Sequence, residues 1–203
     1  MITRQGLQRY VQPPLDDVLQ RAGFERGQDD IWRRFEGEVL DCVEIQTKSD
    51  RKAFCVELGV HFAFIPIAAG AEAPNLPVLT AAQCELRSRL ERGGQEVWWS
   101  DPMADAQDLA NLVKTYGLEF FGRYADIRTA FGAISPDTVD GDQAMRLTPN
   151  LTRARRLLFF ALVHEHLGNL EWAETIAELG LQGNLPTGPK VQLKRLTARL
   201  SIR

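Results

Sequence analysis

No run of apolar residues in this chain approaches the ~20 that a membrane-spanning helix requires, which sets helical membrane proteins aside. Cysteine is scarce. Cys42, Cys55 and Cys84 are odd in number, far apart and never in a CxxC pair. That pattern argues against a zinc site and against a disulfide framework, and for a reducing cytoplasm. Residues 1–10 lack the apolar core of an export signal, so export by that route is not expected. Also missing are a nucleophile elbow, a phosphate-cradling glycine loop and a nucleophile with an evident base. The expectation is therefore no cofactor, no metal and no assignable catalytic residue.

What is present is ordinary in bulk and uneven in arrangement. At 203 residues, 44% hydrophobic and 25% charged, the chain can build one substantial core, or one core and a small appendage. The net charge of −3 hides a division. Residues 151–203 hold eight Lys/Arg against four Asp/Glu, so the rest of the chain sums to −7. A basic tail can seek nucleic acid or dock on an acidic body, and docking is the plainer expectation.

The strongest pattern lies between Phe54 and Phe64, where Phe54, Val56, Leu58, Val60, Phe62 and Phe64 alternate with Cys55, Glu57, Gly59, His61 and Ala63. A period of two predicts a strand with one buried face and one face toward water or a partner. Strands are expected at 31–36 and 39–48, joined by a type II′ turn with Gly37 at its first central position. That register sets Trp32 opposite Val43 and Arg34 opposite Asp41. A two-residue turn at Ser49-Asp50 sets Ile45 opposite Phe54 and Val43 opposite Val56, so both turns place Val43 and Ile45 on the core face. A further hairpin, 84–92 with 95–99, turns at Gly93-Gly94 and sets Trp98 opposite Arg89, a natural cation–π pair.

Helices flank this meander. Leu15, Val18, Leu19 and Ala22 mark one between Pro13-Pro14 and Gly23. Asp101-Pro102 starts another, with Leu109, Leu112, Val113 and Tyr116 on its apolar stripe and Gly117 closing it; helical pattern continues over 118–131. After Pro66 the chain is small and loop-like through Ala68-Ala69-Gly70-Ala71, Pro74 and Pro77. Breaks at Ser135-Pro136 and Asp140-Gly141-Asp142 read as a linker. Beyond them a helix is expected from Thr148-Pro149 to Gly168, a second from Asn169 to Gly180, and a third around Leu193, Leu196 and Leu200. The Leu167-Gly168-Asn169 turn resembles one tetratricopeptide-type hairpin, but a single copy does not make a solenoid. The fold class is thus α+β: a roughly five-stranded antiparallel meander in a domain of residues 1–136, with a three-helix appendage at 145–203.

Projected onto the strands, one face collects Arg33, Glu44, Gln46, Glu57 and His61, extended by Arg87 and Arg89 if the second hairpin joins the sheet. This is the candidate binding face. The plain alternative is a solvated outer face stitched by cross-strand pairs. Glu44 and Glu57 share that face and could divide acid and base roles, the basis of an alternative reading as a hydrolase-like enzyme. His164 and His166 are two residues apart on a helix, on opposite sides, and so do not make a metal pair. Arg153, Arg155, Arg156, Lys190, Lys194, Arg195 and Arg199 could contact phosphates, yet no aromatics interleave them.

Gly23-Phe24, then Trp32-Arg33-Arg34-Phe35, 43–48 (VEIQTK) and 54–59 (FCVELG), in that order, resemble the bacterial family known as domain of unknown function 4304. Residues 84–90 (CELRSRL), Val97-Trp98-Trp99 and 116–121 (YGLEFF) fit its downstream half. The resemblance covers roughly residues 14–132, with the segment from 145 onward an addition. It carries over no catalytic residue. The family has no established reaction, and some members resemble immunity proteins of bacterial toxin systems. Together with the absences above, the leading expectation is a non-enzymatic cytoplasmic protein that binds another protein; nucleic acid and membrane are not the expected partners, and no oligomeric state follows.

Overall fold

Five strands follow one another along the chain and pair in the same order: β1 (Glu25–Arg26), β2 (Trp32–Glu36), β3 (Val39–Thr47), β4 (Phe54–Phe62) and β5 (Leu86–Arg89). They form an antiparallel meander in a computed structural model that describes residues 1–67, 76–182 and 186–202. The loop-like run from Ala68 through Pro74 lies outside the described residues. Gly37 takes φ +60°, as the tight turn between β2 and β3 needs, and Trp32 meets Val43 while Arg34 meets Asp41. The next turn is longer than the expected two residues. The Lys48 N–H bonds to the Ala53 carbonyl (2.9 Å), and the Arg51 N–H closes back on the Lys48 carbonyl (2.9 Å). Two added loop residues slide the pairing by two, and with a side-chain period of two the faces are unchanged.

The expected strand 84–92 is divided. β5 joins the sheet, with Glu57 opposite Arg89 and Gly59 opposite Arg87. Past Leu90 the chain forms a small separate ribbon of β6 (Glu91–Arg92) and β7 (Gln95–Glu96) around Gly93 and Gly94, both at positive φ.

The described chain divides into two compact units, residues 1–61 with 76–123, and the described parts of 62–75 and 124–203. The expected linker near 136–145 falls within the second. In the first unit the helical start is longer than Pro13-Pro14 implied: α1 (Arg4–Gly6) and a π-turn (Leu7–Val11) lead into α2 (Gln12–Arg21). Leu15 and Leu19 are buried, and Gly23 ends the helix at φ +84°. Asp101 caps α3 (Pro102–Leu112) through Met103 and Ala104 N–H groups. Gly117 does not stop that helix. A π-turn (Val113–Gly117) carries it into α4 (Leu118–Gly122), and Tyr116 is exposed rather than part of the stripe. On the core face, Phe24 packs on Phe121 (5.2 Å between centroids), and the Trp32 indole N–H donates to Asp16 (2.8 Å).

In the second unit α5 (Ile127–Phe131) and α6 (Asp142–Leu147) precede three longer helices, α7 (Arg153–His166), α8 (Leu170–Leu181) and α9 (Thr187–Leu200). Thr148-Pro149 does not open α7; the Thr152 side chain caps it instead. Gly168 is the stop, at φ +82°, whereas Gly180 lies buried inside α8 against Leu193. The core is aromatic: Phe131 meets Phe62 and Phe159 edge to face, at 5.7 and 5.1 Å.

Candidate functional site

The alternation in β4 predicts one face open to water or a partner, yet every residue of β4 is buried. The reason is the segment 76–85, which folds back over the polar face as two short 3₁₀ turns, Leu76–Val78 and Ala81–Gln83. Leu79, Ala81 and Cys84 fill the space. Gly59 admits them: a Cβ there would sit 2.8 Å from the Cys84 Sγ and 2.9 Å from the Ala81 Cα. The small residues between the apolar positions of β4, Cys55 and Gly59, were the sequence signal for a cover.

Polar side chains of the face hold this cover by its backbone. The Arg33 Nε donates to the Leu79 carbonyl (2.9 Å) while its guanidinium forks onto Asp29 (3.0 and 2.6 Å). The Cys42 thiol also points at that carbonyl (3.7 Å). The Ala81 N–H donates to the Glu44 Oε2 (3.1 Å), and the Glu85 N–H to the His61 Nδ1 (3.1 Å). His61 is thereby fixed as an acceptor at Nδ1.

The six candidate residues thus separate by depth. His61 and Glu57 are buried; Glu44, Gln46, Arg87 and Arg89 are half-buried and form the uncovered end. Glu57 faces Arg87 (3.8 Å), and Arg89 forks onto Glu96 (2.9 and 3.1 Å). Arg89 lies over the Trp98 ring at 5.4 Å, the cation–π pair that the register predicts. Lys48, which shares a strand face with Gln46, meets the same ring at 4.4 Å, a partner the sequence reasoning missed. The result is a ledge of alternating charge around one half-exposed tryptophan.

Electrostatically the ledge is settled rather than reactive. Burial, and to a lesser degree Glu57, raises the Glu44 carboxyl above its ordinary value, against the Ala81 hydrogen bond. Burial pushes the Cys55 thiol up to about 11. Cys84 is raised well above the ordinary value by its Cys42 neighbour and by burial, so these thiols stay protonated. Among the described residues no group of three His, Cys, Asp or Glu could hold a metal ion.

Away from the face, His164 and His166 part as their spacing predicts. His164 is buried, its Nε2 donating to the Ile134 carbonyl (2.6 Å), while exposed His166 stacks on Phe64 (4.1 Å between centroids). The basic tail is largely engaged. Arg153 and Arg156 both reach Asp140, Arg155 donates to the Pro66 carbonyl, and Arg199 forks onto Glu165. Among the described residues no helix is long and apolar enough to cross a membrane.

No curated protein and no solved structure matches this chain. The resemblance seen in the motif order is carried by a match over residues 15–123 to the family model described as "Domain of unknown function (DUF4304)", more than half of the chain, and the chain belongs to that family.

Proposed function

We propose that this is a non-enzymatic bacterial protein-binding module acting in the cytoplasm, of the kind that serves as an immunity-type inhibitor of a partner protein. The observation that carries the reading is the ledge itself. Arginines and a half-exposed tryptophan, held by neighbouring carboxylates, have the composition of a binding hot spot. Glu44 and Glu57 are both committed, to the Ala81 N–H and toward Arg87, which favours recognition over acid–base work. The second reading, a hydrolase-like enzyme, rests on the raised Glu44 carboxyl beside Glu57. A nucleic-acid role for the tail has weaker support, since Arg153, Arg155, Arg156 and Arg199 are already occupied.

Co-expression with the product of a neighbouring toxin-like reading frame tests the choice. Arg87→Glu with Arg89→Glu is expected to lower the thermal melt, because buried Glu57 loses its cation, and in the folded protein to weaken the complex by about 2 kcal/mol or more, the size of a hot spot. An enzyme would instead lose turnover in Glu44→Gln while keeping its partner. Undiminished binding in the double reversal removes the ledge as the recognition surface.

A further inference from the structure

β3 outruns β2. Their last pair is Trp32 with Val43, and β3 continues to Thr47 with no strand beside it on that side among the described residues. In a two-residue hairpin the closing pair, here Glu36 and Val39, is hydrogen-bonded, and such pairs recur at every second residue. Val43 therefore directs its N–H and carbonyl toward β2, and Ile45 and Thr47 direct theirs the same way, past its end. What they meet is a cleft of about 800 Å³. Its apolar lining is Ile2, Leu7, Ile31 and Ile45. Four residues of strand, Glu44 to Thr47, offer roughly 14 Å of edge at 3.4 Å per residue.

Two further observations bear on the occupant. Among the described residues only Asp30 (φ +62°) and Arg51 (φ +55°) are non-glycine residues in the left-handed region, and both line this cleft. Such backbone costs free energy and collects at binding sites. Here it turns the chain away from β3 at Asp30 and sets Arg51 at the rim, where its carbonyl also anchors the Ile2 N–H (2.7 Å). The charges are one-sided in what they leave over. Asp29 is forked by Arg33, Asp30 accepts from Arg4, Gln8 and Arg26, and Glu44 accepts the Ala81 N–H. Arg51 has no carboxylate against it among the described residues, while the Lys48 ammonium lies over Trp98.

We infer that this cleft binds an extended, acidic segment of a partner protein by strand addition to β3, with the Ile45 and Thr47 backbone pairing to the segment and Arg51 receiving a carboxylate from it. The mode is the familiar one in which main-chain bonds give affinity and alternate side chains give selectivity. The inference rests on the protein-binding reading but uses a surface apart from Arg87 and Arg89, so the two fail separately.

The probe is a fluorescein-labelled eight-residue peptide alternating valine and glutamate, compared by anisotropy with a valine–lysine counterpart and with a version N-methylated at alternate amides. The full-length protein is expected to bind the acidic peptide about tenfold or more tightly than the basic one, with protection of the Ile45 and Thr47 amides from exchange. N-methylation in the pairing register, or Arg51→Glu, should remove at least that preference. Thr47→Pro removes one edge donor; if it fails to fold, the N-methylated peptide reads the same bond from the other side. Equal binding of the acidic and basic peptides, no binding of the acidic one, or unchanged binding after N-methylation in either register overturns the inference. Loss of the peptide alone, with a partner still sensitive to Arg87→Glu, leaves the ledge reading standing.

Discussion

The two units bury very different things. The sheet unit takes Gln12, Arg33, Asp41, Glu57, His61 and Glu85 out of water, and holds the charged ones with opposite charges and backbone groups. The helical unit is built on Phe62, Phe131, Phe159 and Phe160, and among its described residues the buried polar groups are Thr148, Arg156, His164 and Gln192, one of them carrying a fixed charge. Apolar burial supplies stability in proportion to area and tolerates small changes of shape. Buried charge supplies little net stability but demands one geometry, because each displaced partner leaves a desolvated group behind. The unit that holds the ledge and the strand-edge cleft is thus the one whose interior is specified by polar bonds.

That contrast can be broken by substitution. The largest effect is expected in the helical unit, where Phe159→Ala empties a site packed by Phe62, Phe131 and Phe160. A loss of about 3–5 kcal/mol in denaturant unfolding is expected; a loss under about 1 kcal/mol would show that the aromatic cluster is not the core. Next comes Gly59→Ala in the sheet unit. Its new methyl would meet the Ala81 backbone, so overpacking of about 1–3 kcal/mol is expected, together with faster labelling of Cys84 by a thiol reagent. Unchanged labelling with unchanged stability would mean that the 76–85 cover does not lie where its hydrogen bonds put it.

The smallest and sharpest test is pH. Asp41 is raised to about 6 from an ordinary 3.8 by burial, even with Arg34 bonded to it. Its Oδ1 is buried without a hydrogen-bond partner among the described residues, which accounts for the direction. The folded form therefore takes up a proton first, and Asp41 contributes a gain in stability as pH falls from about 6 toward 4. His164 has the opposite sign. Burial lowers it below 6.5, the unfolded chain protonates first, and the helical unit loses stability as pH falls through 6.5. Hydrogen-exchange protection, corrected for intrinsic rates, should rise in β2 and β3 and fall in α7 between pH 6.5 and 4. Asp41→Asn should flatten the first trend and His164→Gln the second. Parallel trends in both units would refute the contrast. Below about pH 4 the lowered carboxyls of Asp29, Asp30 and Asp140 lose their partners and destabilise both units alike.

Much of the sheet was legible because turn chemistry and alternation are local. Gly37 and Gly93-Gly94 set registers that the pairs Trp32–Val43 and Arg89–Trp98 follow. The faces survived a wrong loop length at 49–52 because a slip of two preserves parity. The cover was not legible in its own segment, since 76–85 has no periodicity; its place depends on Gly59 in the strand before it and on long-range bonds from Arg33 and Glu44. The π-turns were missed for a similar reason. Gly117 carries the residue type of a helix stop, but the chain spends one extra residue there and continues. The strand-edge cleft was invisible because it is made by where β2 ends, not by any residue pattern in β3.

Where the meander ends also governs what copies of this protein do to one another. At one side of the sheet β1 is two residues long and presents exposed Glu25 and Arg26; at the other, β5 is four residues long and carries Arg87 and Arg89. Short, charged borders of this kind do not template the next chain, so sheets do not add to sheets in the way that seeds fibres. The stub of β3 beyond Val43 is only four residues long, and a segment of that length seated there would offer no long new border for another to follow. Edge-to-edge growth of a filament is therefore disfavoured at these two borders.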